Sequence, residues 1–505
     1  MVTSLLLDLP LYALIALPVV GALLAWPAAR WHADAPRWVS LATLAALTLM
    51  TLPWLFASAG DASPWLAEFR APWMPRFGIG FNLAMDGLAA LLILLTAVLG
   101  LAAVLCSWRE IREQTGFFHA NLLLNLAGVA GVFLATDLML FFICWEAMLV
   151  PMFLLILLWG HGAGQPRGRV YAAMKFFVFT QASGLLMLVA ILAMGWWHAE
   201  LTGRWSFEYT DWLALSLPHD VAQWLMLGFF VAFAVKLPAF PVHSWLPDAH
   251  SQAPTAGSVI LAGVLLKTGA FGLIRYGINL FPEPAAAFAP VAMALGVAGI
   301  LYGAALAMTQ TDIKRFVAYT SVSHMGFVLL GAYAGTETAL QGVMVLLLAH
   351  GLSTGALFIL CGALYERLHT REFGRMGGIA ARAPRYATAL VFFSVASLGM
   401  PGTGNFIAEF LILAGSFPVA PWPTAVGATG LIVAAVYSLI VVQRVLHGPP
   451  ADDAPVQDLL PRERGTLAAA LLLLVALGLF PQPLIDAARP ALATTAALLP
   501  AGDAR

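Results

Sequence analysis

Residues Phe229–Phe240 read FFVAFAVKLPAF, an apolar run with Lys236 at its centre. The chain holds only four lysines, Lys175, Lys236, Lys267 and Lys314, and a second of them interrupts the apolar run AGVLLKTGAFG at Lys267. A cation in the middle of a membrane helix costs about 2.5–3.5 kcal/mol on insertion scales. Either a partner offsets that cost or the position is functional.

Working outward, the surrounding composition leaves little choice of solvent. Of 505 residues, 61% are hydrophobic and 10% are charged, against roughly 25% charged in soluble domains. Mean hydropathy is +0.87. The chain reads as an all-α integral membrane protein. Runs of the length that spans a bilayer fall at 5–26, 38–58, 84–106, 117–135, 138–159, 174–197, 221–243, 256–278, 286–308, 315–334, 339–364, 386–416, 423–446 and 466–485, which predicts 14 transmembrane helices. Segment 59–82, rich in Pro and Trp, is expected at the interface, and strands are not indicated because the alternating barrel pattern is absent. The apolar beginning, without a basic leader, predicts a retained first helix rather than a cleaved signal.

A formal net charge of −1 argues against nucleic acid as a partner and leaves the lipid bilayer. Cys106, Cys144 and Cys361 stand apart, so no metal, iron–sulfur or disulfide site is expected. Of the 25 basic residues, 17, Lys314 among them, fall on connections that face inward if both termini face outward, six fall on the other side, and Lys236 and Lys267 lie within spans. The positive-inside rule therefore places both ends on the outer, periplasmic face. The arginine cluster at 367–385 belongs to the inward signal.

Four ionisable residues lie deep inside predicted spans: Glu146 in FFICWEAMLVP, Lys236, Lys267, and Glu409 in GNFIAEFLIL. His324 and His350 lie between Lys267 and Glu409 in helix order. Two acids and two bases can neutralise each other in pairs, and burial disfavours the charged form of each, so protonation responds to a neighbour's movement. The plain alternative is a fixed ion pair that locks helices together. His119 and His161, at span ends, read as ordinary interfacial histidines, whereas His243 and His250 lie in a polar loop where they could line a water route.

Helix interruptions sit beside two of the charges. Lys236 is followed by LPAFP, where Pro238 and Pro241 remove backbone donors. SLGMPGTGN precedes Glu409 and breaks span twelve. Irregular backbone at membrane depth survives only inside protein or beside water. Broken helices in corresponding places of two halves point to an inverted-repeat transporter. Spans 4–8 and 9–13 are then two inverted five-helix repeats with helices 7 and 12 broken. The expected division is 1–116, 117–280, 281–446 and 447–505.

Five stretches carry a resemblance over nearly the whole chain: DLMLFFICWEAMLVPMFLLI, VYAAMKFFVFTQASG, AVKLPAFPVHSWLPDAHSQAPTAGSVILAGVLLKTGAFGLIR, TDIKRFVAYTSVSHMGFV and SLGMPGTGNFIAEFLIL. The sequence resembles the proton-translocating, antiporter-like subunits of complex I, the respiratory NADH:quinone oxidoreductase, of the subunit M (chain 4) type. A glutamate at position 409, where the L and N types are expected to carry lysine, favours M. By that resemblance Glu146 and Lys236 form a modulating pair, Lys267 is the central proton carrier, His324 and His350 link the halves, and Glu409 is the outlet. It also implies L-like and N-like antiporter subunits as partners, while the Ala- and Arg-rich composition suggests a bacterial inner membrane. No cofactor is implied in this subunit, because NADH, FMN, Fe–S clusters and quinone belong to others. The alternatives are an Mrp-type cation/proton antiporter subunit, the matching subunit of a membrane-bound hydrogenase or ferredoxin-driven complex, and a membrane scaffold without transport.

Overall fold

A computed structural model describes residues 9–57, 65–161, 166–449 and 456–499. Its principal helices are α1 (Tyr12–Ala28), α2 (Ala35–Thr51), α3 (Gly87–Cys106), α4 (Thr115–Leu134), α5 (Leu138–Trp159) and α6 (Pro166–Thr202). After these come α7 (His219–Lys236), α8 (Trp245–Gln252), α9 (Thr255–Ile278), α10 (Pro282–Thr309), α11 (Ile313–Ala334) and α12 (Glu337–Leu368). The chain closes with α13 (Pro384–Ser397), α14 (Gly404–Ser416), α15 (Pro421–Leu446), α16 (Pro461–Leu479) and α17 (Gln482–Leu498). Helices dominate because a lipid-embedded backbone must satisfy its own hydrogen bonds.

The polar residues at span edges set several starts. Asp86 accepts from the Ala89 N–H at the head of α3, Asp137 from Met139 and Leu140 at α5, Asp312 from Arg315 at α11, and Thr336 from Ala339 at α12. Each satisfies donors that the first helical turn leaves open.

Among the described residues, ten helices are long and apolar enough to cross a membrane, or eleven if α16 and α17 count as one bent span. The runs expected at 221–243 and 386–416 are divided by their breaks. The run expected at 5–26 begins outside the described residues. The run expected at 466–485 crosses a 70° bend between Leu479 and Gln482, where Pro481 and Pro483 end one helix and start another. Span six is longer than its apolar stretch, because α6 continues through polar residues at both ends.

One expectation is corrected. Ala67–Met74 and Ile79–Met85 form an antiparallel hairpin, β1 and β2, with a bulge between Pro72 and Met74. A short hairpin needs no barrel pattern, and Gly78 at φ +69 turns it. It lies over the ends of α4 and α5, where Thr136 N donates to Asn82 O and Gly80 N donates to Asp137 Oδ2 at 2.9 Å.

Helix α9 and the apolar middle of α12 are wholly buried at the centre, flanked by nearly buried α4 and α11, whereas α2, α6, α10 and α15 turn most of their surface outward. That outward surface is apolar, with Trp38, Val189 and Ile432 strongly exposed. Buried ionisable groups thus collect around α9 and α12.

Candidate functional site

α7 ends at Lys236 because the prolines that follow cannot continue it. The freed backbone is not left orphaned: Trp245 Nε1 donates to Val235 O at 2.9 Å, and Ala239 N to Ala234 O at 2.8 Å. The break leaves the Lys236 side chain buried near Glu146 on α5. The two do not touch, since neither Lys236 Nζ nor Glu146 Oε1 has a hydrogen-bond partner. The expected pair is therefore electrostatic and not a contact. Trp145 fills the place of the counter-ion, its ring centroid 4.9 Å from Lys236 Nζ, with Phe176 at 5.9 Å. Gln181 on α6 is the polar neighbour of the Glu146 carboxylate. Beside it, a Cβ on Gly184 would come within 2.6 Å of Glu146 Oε1.

Lys267 lies wholly buried in α9 between two π turns, Leu261–Leu265 and Leu273–Ile278. Such turns widen a helix locally and accompany functional sites. Here the wide turn presents Ala262 O, which accepts from Lys267 Nζ at 2.6 Å. The same Nζ lies 2.8 Å from His350 Nδ1 on α12. The His350 ring then meets His324 of α11 edge-on, centroids 5.4 Å apart. His324 Nδ1 lies 3.0 Å from Glu409 Oε1, and its Nε2 lies 3.2 Å from Ser397 Oγ.

The second break positions Glu409 as the first positions Lys236. Between α13 and α14, Gly399 at φ +86 and Gly402 at φ +91 turn the chain, and Thr403 Oγ1 donates to Met400 O at 2.7 Å. A Cβ on Gly399 would stand 2.6 Å from Glu409 Oε2, an oxygen that has no hydrogen-bond partner. Leu398, Phe406, Phe410 and Leu431 surround Glu409 in a cavity of about 330 Å³.

The structure thus brings Lys267, His350, His324 and Glu409 into one line and holds Glu146 and Lys236 as a separate group next to it. Residue-type reasoning missed Trp145, Gln181, Gly184, Ser397 and Gly399. It also placed Lys314 on an inward-facing connection, but that side chain is wholly buried in α11 and donates to Ala253 O at 2.9 Å. His161, read as an ordinary interfacial histidine, lies 2.9 Å from Glu110. Among the described residues, no three His, Cys, Asp or Glu side chains cluster in a way that could hold a metal ion.

Residues 135–434, which hold every one of these sites from Glu146 to Glu409, match the sequence profile of the NADH:quinone oxidoreductase/Mrp antiporter transmembrane family. The chain belongs to that family. Within the NADH:quinone oxidoreductase/Mrp antiporter family, it is 53% identical over 482 residues to NADH-quinone oxidoreductase subunit M of Pseudomonas aeruginosa, covering 94% of each chain. It is 51% identical to the subunit M of Escherichia coli K12, over 95% of this chain and 96% of that one. Its fold matches a chain of respiratory complex I from Thermus thermophilus with bound NADH at a TM-score of 0.87, with 33% identity over 97% of this chain and 100% of that one. A chain of the Mrp complex from Dietzia sp. shares the fold alone, at a TM-score of 0.81 and 20% identity over 96% and 97% of the two chains. The protein is thus an all-helical, multi-pass member of this antiporter-like family.

Proposed function

We propose that the chain is the subunit M-type membrane component of complex I and translocates protons, driven by quinone reduction elsewhere in the complex. The supporting observation is the continuous series of close contacts from Lys267 through His350 and His324 to Glu409. Each member can bind and release a proton, and intramembrane ionisable groups mark ion pathways. The Lys267 ammonium passes its proton to His350 Nδ1, the imidazolium gives up its Nε2 proton toward His324, and His324 Nδ1 hands a proton to Glu409. Glu146 and Lys236 set the field around Lys267: when Glu146 shifts away, the charge on Lys236 loses support and repels a proton on its neighbour.

On this reading the chain crosses the membrane fourteen times, with both ends periplasmic in a bacterial inner membrane. Residues 117–280 and 281–446 are the two inverted repeats, framed by 1–116 and 447–505. The subunit holds no redox cofactor and packs between L-like and N-like antiporter subunits. Of the alternatives, the Mrp-type antiporter shares the family profile and the fold, the latter at 20% identity.

The test is Lys236→Ala in the assembled complex. NADH oxidation in inverted membrane vesicles should then build little or no ΔpH. Full ΔpH generation by this variant would remove Lys236 from the mechanism.

A further inference from the structure

Asp248, on the short helix α8 that follows the first break, divides its two carboxylate oxygens between two different helices. Oδ2 accepts from Lys175 Nζ of α6 at 2.7 Å, and Oδ1 accepts from Arg315 Nη1 of α11 at 2.6 Å. The Asp248 and Lys175 side chains are each 19% exposed and that of Arg315 34%, so the cluster is largely withdrawn from solvent. Charge-assisted bonds of this length are the strong ones among hydrogen bonds. Helix α8 packs against both α6 and α11. Among the described residues, neither cation has another carboxylate within ion-pair distance.

Both arms of this bridge lead to groups already described. On α6, Phe176 follows Lys175 directly, and its ring lies 5.9 Å from Lys236 Nζ. The same ring lies 5.5 Å from that of Trp245, whose Nε1 holds Val235 O beside the break. Nine residues beyond Lys175, Gly184 abuts Glu146. On α11, His324 likewise stands nine residues beyond Arg315. At a rise of 1.5 Å per residue, each arm is about 13 Å long. Asp248 is therefore equally placed toward the Glu146–Lys236 group and toward the contact of His324 with Glu409. Helices joined by hydrogen-bonded ion pairs form the kind of contiguous network that carries coupling between sites. Helix α6 turns most of its surface outward, and small sliding of packed helices is a common form of conformational change. A brace for α8 needs one such bond. Two bonds, to helices that lead to different groups, make a tie.

We propose that Asp248 is a positioning residue that ties α6 to α11, so that a shift of α6 at Glu146 and Lys236 reaches His324 as a shift of α11. The proposal rests on the proton-translocating reading above. Asp248 stays ionised throughout and carries no proton. It transmits position, through Lys175 on one side and Arg315 on the other.

A tie and two independent braces respond differently to being cut twice. Lys175→Gln opens the α6 arm and Arg315→Gln the α11 arm, each leaving Asp248 its other cation. The measurements are complex content by native gel, and ΔpH formed per NADH oxidised in inverted vesicles. Each single variant should assemble and lose about fivefold in ΔpH per NADH. The double variant should lose no more than either single one, because a tie already open cannot be opened again. Losses that multiply in the double variant, or parent-level pumping by either single one, would overturn the proposal and leave two separate braces. Should a Lys175 or Arg315 variant fail to assemble, Asp248→Asn and Asp248→Glu decide, since glutamate keeps both charged acceptor oxygens and asparagine does not. A loss of about fivefold in Asp248→Asn, largely regained in Asp248→Glu, supports the tie. Equal losses in both, or parent-level pumping by Asp248→Asn, refute it. Lys267→Met, measured alongside, separates the two readings. If it pumps like the parent, proton translocation through this chain fails. If it loses pumping while Arg315→Gln keeps it, only the tie fails.

Discussion

The Lys236 ammonium lies over the indole of Trp145, 4.9 Å from the ring centroid, although Glu146 is the very next residue on that helix. An aromatic face attracts a cation without neutralising it, which leaves Lys236 sensitive to where the carboxylate stands. A desolvated contact of this kind contributes about 2 kcal/mol, with Trp the best ring. Trp145→Leu should therefore reduce proton pumping by about tenfold or more, and Trp145→Phe by clearly less. ΔpH formation at matched complex content checks the order. Equal pumping by both variants would show that the ring only fills space.

Gly399 borders Glu409 as Gly184 borders Glu146, each leaving a carboxylate oxygen where a Cβ would lie at 2.6 Å. At Gly399 a side chain meets a second obstacle, φ +86, a conformation costing L residues roughly 1–2 kcal/mol. Gly399→Ala is expected to push Glu409 off His324 and cut pumping several-fold while the complex still assembles. Gly184→Ala, which carries no positive-φ strain, should impair pumping with a smaller loss of thermal stability. A Gly399→Ala complex that pumps normally would mean the carboxylate has room to move.

Asp86 and Arg275 form a buried ion pair, with the guanidinium held between the rings of Trp65 and Phe271, each 4.9 Å away. Removing one member of a buried pair strands the other and costs about 3–5 kcal/mol, whereas replacing both by apolar residues is often neutral. Asp86→Asn should therefore lower the amount of assembled complex on a native gel. Asp86→Leu combined with Arg275→Met should restore much of it. A double variant worse than the single one would contradict this account.

Asp458 caps α13 from a distant segment, accepting from Arg385 N at 3.0 Å and Tyr386 N at 2.9 Å. Partial burial works against the carboxylate, but these backbone N–H groups and that of Leu459 hold it below the ordinary aspartate range. A lowered folded-state value stabilises above the unfolded aspartate value of about 3.9 and loses that contribution as pH falls through the lower one. Asp458→Ala should thus cost about 1 kcal/mol, evenly from pH 5 to 8, and less below about pH 4. Thermal melts of the detergent-solubilised complex across that range give the profile. A penalty that grows on acidification would reverse the sign.

The buried charges were legible because lysine and glutamate inside apolar runs have no ordinary excuse, and Pro238 and Pro401 announced where helices stop. What stayed hidden was ordinary in its own context. Trp145, Ser397, Gly184 and Gly399 are common residues in membrane helices, and their value comes from which side chain stands opposite them. Lys314 was assigned to a loop because Asp312 and Arg315 flank it at the edge of its span, and sequence does not reveal which way a side chain of that length turns. The hairpin at Ala67–Met85 escaped because seven or eight residues including Pro72 make a weak strand signal. The bend before α17 was marked by Pro481 and Pro483, but the apolar residues on both sides of them read as one span.

The two π turns of α9 give Lys267 a backbone oxygen and an imidazole as its contacts, and neither carries a formal negative charge in its resting form. Arg275, on the same helix, is matched to an anion and is fixed by it. An ion partnered by dipoles can vanish without stranding an opposite ion in a medium that punishes lone charge. On the proposed proton route, Lys267 is therefore a berth that can be emptied without stranding a counter-ion, and α9 carries that berth and a permanent rivet two turns apart.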